Sequence, residues 1–112
     1  MKYKNIRLMP DYECWPLWDM DNLGDIDPKE LPISEFLQHE VESWAKKFDS
    51  ILDWDDPGNS GGFQTDEEEK LFAEKGWLIL AELKKELPNT NIFVKGWVFE
   101  KYPDPNEEKA RR

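Results

Sequence analysis

The chain is predicted to fold as a small α+β domain, with two central helices packed with a short antiparallel sheet formed by the N- and C-terminal strands. Three observations predict it. Apolar residues recur at helical spacing in two long stretches of the middle. A short alternating run precedes them, and a run rich in β-branched and aromatic residues follows. The order strand, helix, helix, strand belongs to the α+β class.

The first strand is expected over 3–9, with Ile6 and Leu8 on one face and Arg7 on the other. Pro10 and Pro16 argue against a regular strand interior, so the run around Trp15 and Trp18 reads as irregular or as a sheet edge. Residues 19–33 hold Gly24, Pro28 and Pro32 between aspartates, which predicts a loop with a short 3₁₀ turn at 28–31. Ser34 is the expected N-cap of the first helix. Leu37, Val41, Trp44, Phe48 and Ile51 form its apolar stripe, and Glu42 and Lys46 an i,i+4 pair on its polar side. Residues 53–64 read as a loop.

Thr65 and Glu68 make a capping box for the second helix, with Asp66, Glu67 and Glu68 at its positive end. Its broad apolar face carries Phe72, Ile79, Leu80, Leu83 and Leu87. Gly76 stands where close helix packing tolerates no side chain. The stretch 77–81 is apolar all round, which predicts a central helix. Lys84 and Lys85 complement its C-terminus and Pro88 stops it. A last strand is expected over 92–99. One domain over residues 1–102 is expected, and a flexible polar tail over 103–112.

Charge narrows the function. The chain holds 25 acidic and 15 basic residues, a formal net charge of −10. That excess repels nucleic acid and anionic membrane and favours a cationic partner. One cysteine, Cys14, leaves no internal disulfide, which fits a reducing cytoplasm. Lys2, Lys4, Asn5 and Arg7 interrupt the start, and no run of about 18 apolar residues occurs, so neither a secretion signal nor a membrane span is expected.

Chemistry is hard to find. Cys14 and His39 are the only residues of their types, and His39 falls on the polar side of the first helix. Two such ligands do not make a zinc site. The run from Asp53 to Asn59 has a superficial likeness to a calcium loop, but Pro57 stands where a side-chain oxygen is needed and Gln64 replaces the bidentate glutamate. Gly61-Gly62 lacks the lysine and hydroxyl of a phosphate loop. No catalytic, metal-binding or cofactor-binding residue is assigned.

Two acidic aromatic clusters carry more. Trp15, Trp18, Asp19 and Asp21 form one; Asp53, Trp54, Asp55 and Asp56 form the other. Each sets indole beside carboxylate on an expected loop or edge, which suits a grip on a basic protein. Tryptophan as core filler, with the aspartates merely solvated, competes at each cluster.

The order of elements also carries a resemblance. Pro16-Leu17-Trp18 follows the first strand. A helix ending Trp44-Ala45-Lys46-Lys47-Phe48-Asp49 leads to Asp53-Trp54-Asp55-Asp56-Pro57 and Ser60-Gly61-Gly62-Phe63. An acidic-start helix with Phe72, Gly76 and Leu80 completes the set. Over residues 6–99 the chain resembles small cytosolic immunity proteins of bacterial contact-dependent inhibition and polymorphic toxin systems. The resemblance implies a cytoplasmic, non-catalytic antitoxin that binds and neutralises a cognate toxin domain. A nuclease toxin is usually basic, which an acidic inhibitor would match. Two other classes stay open: an acidic nucleic-acid mimic directed at a DNA-binding or restriction protein, and a small carboxylate- or metal-dependent enzyme.

Overall fold

The computed structural model describes residues 3–51 and 62–105. Its elements are β1 (Asn5–Leu8), β2 (Leu17–Asp19), a 3₁₀ turn (Pro28–Glu30), α1 (Glu35–Ser50), α2 (Asp66–Glu86), β3 (Asn91–Val94) and α3 (Trp97–Lys101). The α+β class stands, and the N- and C-terminal strands share one sheet of order β2-β1-β3. The sheet is mixed rather than antiparallel. β1 pairs antiparallel with β2 and parallel with β3. The expectation left out β2, which reverses the chain after β1, and β3 then returns parallel to β1.

Local chemistry explains the helix ends. Ser34 Oγ accepts the Leu37 N–H at 3.2 Å and caps α1. Glu86, at the end of α2, accepts the Ser34 N–H at 2.6 Å and its hydroxyl at 3.0 Å, which sets a carboxylate against the positive end of α1. Thr65 Oγ1 accepts the Glu68 N–H at 3.1 Å, while Glu68 accepts the Gln64 N–H at 3.3 Å, one residue before the usual position of a capping box. The expected Glu42–Lys46 pair does not form. Glu42 instead lies 3.7 Å from His39 Nδ1. An exposed i,i+4 pair is worth only a few tenths of a kcal/mol and does not hold Lys46 out of water.

The core runs between helices and sheet. Ile6, Leu8 and Leu17 join Leu37, Val41 and Leu83 in one buried cluster. Trp44 stacks on Phe72 at 4.5 Å and donates its indole N–H to the Phe72 carbonyl at 2.9 Å, so it is a core residue with its polar atom satisfied. At Gly76 an added Cβ would stand 2.7 Å from Trp44 Cζ2 and 2.8 Å from Phe99 Cε1, which is why the helix needs glycine there. α2 is not buried all round, because Leu78 is exposed.

The last strand is shorter than expected. It stops at Val94, and Gly96 at φ +130 turns the chain into α3. Val98 and Phe99, which looked like strand residues, enter the core from that helix. Their β-propensity is a preference for packed surfaces, and a helix supplies one here. Lys101 Nζ lies 2.6 Å from Glu69 and pulls that carboxyl below the usual carboxylate range, tying α3 to α2. Beyond residue 105, the expected tail lies outside the described residues.

Candidate functional site

The first acidic aromatic cluster is divided by the alternation of β2. Leu17 and Asp19 face the core and are buried; Trp18 faces the other way. Asp19 is therefore a turn-former. Its carboxylate accepts the N–H groups of Asp21 at 2.9 Å and Asn22 at 3.3 Å, and the Asn22 side-chain amide at 3.2 Å. It closes the turn after β2 and offers little to a partner. Asp21 is exposed and accepts from the Asn5 amide at 3.2 Å.

Trp18 stands on the outer face of the sheet, half-buried, its indole N–H donated to the Met9 carbonyl at 3.0 Å. Arg7 of β1 is its cross-strand neighbour, and Phe93 of β3 flanks Arg7 on the other side. The next row holds Asn5 between Asn91, which donates to it at 3.0 Å, and Met20, whose backbone N–H donates to the Asn5 carbonyl at 3.0 Å. Met20 and Phe93 are exposed. Arg7 Nε is shielded from solvent and has no hydrogen-bond acceptor among the described residues.

The turn beyond Met20 carries an anomaly. Leu23 is 86% exposed and holds φ +52. The left-handed region costs a residue with a Cβ about 1–2 kcal/mol, and no burial offsets it here. The turn is otherwise well closed. The Leu23 N–H bonds the Asp19 carbonyl at 3.0 Å, and the Asp19 N–H bonds the Gly24 carbonyl at 2.9 Å. Residues 19–27 contain four aspartates and no lysine or arginine. Leu23 escaped the sequence reading. Its signal was slight: a leucine between Asn22 and Gly24, where turns favour residues that tolerate positive φ.

Trp15 belongs to a different place. It lines a cavity of about 470 Å³ beside α1, with Cys14, Glu13, Asp25, Glu42 and Asp49 around it. The Trp15 N–H donates to Asp25 at 2.9 Å, and the Glu13 N–H to Asp49 at 2.8 Å. Burial first, then Asp11, Asp25, Asp49 and Glu13, push the Cys14 thiol up, which makes it a poor nucleophile near neutral pH. His39 is exposed on α1. Among the described residues no group of His, Cys, Asp and Glu is arranged to hold a metal. Asp53, Trp54, Asp55 and Asp56, with the run likened to a calcium loop, lie outside the described residues.

A second exposed apolar area lies on the helices. Leu71, Trp44 and Phe72 line a groove of about 330 Å³ between α1 and α2. Lys47 and Glu68 meet across it at 3.5 Å, and Lys75 pairs with Glu40.

Residues 4–94 match the Serratia CdiI immunity protein-like family. The chain belongs to that family. No curated protein matches it. As a contact-dependent growth inhibition immunity protein it binds and inhibits a cognate toxin. Among the described residues, no helix of this immunity protein is long and apolar enough to cross a membrane.

Proposed function

We propose that this immunity protein neutralises a basic, nuclease-type toxin domain by binding it in the cytoplasm, without turning over a substrate. Charge carries the reading. An excess of acidic over basic residues, 25 against 15, exceeds what solubility requires. A nuclease needs a cationic surface to hold nucleic acid, and an acidic inhibitor is steered onto that surface. Steering raises the association rate, while desolvated aromatic and apolar anchors slow dissociation. Trp15, Trp18 and Asp21 from the first cluster, and Asp53, Trp54, Asp55 and Asp56 from the second, are the residues proposed to meet the toxin. Asp19 is left out because its carboxylate is buried and closes a turn.

The test is binding to the purified toxin domain encoded beside this chain, inactivated for handling, at two salt concentrations, with growth rescue alongside. Association should slow as salt rises, and charge reversal at Asp55 and Asp56 should slow it and flatten that dependence. A rate indifferent to both salt and charge reversal would sink the basic-toxin reading.

A further inference from the structure

We propose that the outer face of the sheet, with the Met20–Gly24 turn at its edge, is the surface that docks on the toxin, and that Leu23 is its apolar anchor. The inference rests on the cationic-toxin reading above and names a face and an anchor that the reading leaves open.

Three observations converge on this face. The first is exposure: Met20, Leu23 and Phe93 are three of the exposed large apolar residues, Phe93 beside Arg7 in the β1–β3 register, Met20 just past the end of β2 and Leu23 in the turn that follows it. The second is retained cost. Leu23 holds a left-handed backbone that Asn or Gly would hold with less strain, and it buries nothing in return. Arg7, in the middle of the same face, keeps a shielded Nε without an acceptor among the described residues. A chain selected for stability alone would lose both features, so another demand keeps them. The third is charge. Asp21 and Asp25 bracket Leu23, and residues 19–27 hold no cation. An exposed leucine on a hydrogen-bonded turn, flanked along the chain by Asp21 and Asp25, fits an apolar socket rimmed by lysine or arginine. A cationic toxin domain offers that rim; a second copy of this acidic chain would meet its own aspartates.

Leu23→Asn tests the anchor, because asparagine tolerates the left-handed region and leaves the charge unchanged. Its thermal midpoint should equal or exceed that of the parent chain. Its affinity for the purified, inactivated toxin domain encoded beside this chain should fall by about tenfold or more, through faster dissociation. Phe93→Ser tests the rest of the face and should weaken binding in the same way. If the parent binds and both variants bind as tightly as the parent, the docking face is wrong while the toxin reading stands. If the parent itself does not bind the toxin domain, the toxin reading fails and this face falls with it.

Discussion

Two exposed apolar areas lie on opposite layers of this molecule and differ in everything but hydrophobicity. On the helices, Phe36 is 70% exposed, Leu78 62% and Leu71 57%. Phe36 stands one turn before Glu40, and Leu71 and Leu78 flank Lys75, the partner of Glu40. Lys75–Glu40 and Lys47–Glu68 form ion pairs there, and the backbone is regular helix. On the sheet side, Met20 and the strained Leu23 lie in a stretch that holds four aspartates, and Phe93 neighbours Arg7, whose Nε has no acceptor among the described residues. Single exposed apolar residues are normal on a small protein. Exposure alone therefore does not choose a binding face. Backbone strain at Leu23, the aspartates of residues 19–27 and an Arg7 Nε left without an acceptor among the described residues are what separate the two areas.

The largest effect expected tests what the areas share. Trp44 lies beneath the helix groove and in the common core, so Trp44→Ala should cost about 3–5 kcal/mol of stability. Denaturant midpoints measure it. A loss below about 1 kcal/mol would mean that the helices are not packed on this residue, and the groove would need another description. Asp19→Ala comes next. It strips two backbone N–H groups of their acceptor and should cost about 1–3 kcal/mol. Toxin binding should weaken with it, because the turn that presents Leu23 loses its closure. Unchanged stability would show that the turn is held by its backbone bonds alone.

The helix face should be nearly silent. Leu71→Ser combined with Leu78→Ser should change stability by under about 0.5 kcal/mol and leave toxin affinity as it is. Kinetics against the same toxin domain decide it. A large loss of affinity here, with none at Leu23, would invert the comparison and make the helix face the interface.

Much of this fold was legible because it is written locally. Ser34 announces its helix as an N-cap residue and Thr65 through Glu68 three positions on, and both caps form. The stripe from Leu37 to Phe48 is buried as its spacing requires. Gly76 is explained by Trp44 and Phe99, and only the need for a close approach could be read beforehand, not the neighbours. The sense of β3 was not legible, since it depends on counting β2, a strand of three residues opened by the proline-rich run. The same short strand hid the division of the first cluster. Trp18 and Asp19 look alike in sequence as members of an acidic aromatic run, yet strand alternation sends one outward and the other into the core. Leu23 stayed hidden for a different reason. Exposure and backbone strain are properties of the folded turn, and neither leaves a periodic mark.

The smallest effect sharpens the electrostatic half of the comparison. The Cys14 thiol is raised by burial and by the carboxylates of Asp11, Asp25, Asp49 and Glu13. A raised pKa means less thiolate at neutral pH, so alkylation of Cys14 should be slower than that of a free cysteine. The rate should climb with pH through a midpoint above the ordinary cysteine value. Added salt screens the carboxylates but not the burial, so it should lower that midpoint only in part. The pH–rate profile of iodoacetamide labelling at low and high salt reads both contributions. A midpoint at the ordinary value would mean that the cavity beside α1 carries no such field. A midpoint raised but indifferent to salt would assign the shift to burial and remove the acidic field from the case for steering on this side of the molecule.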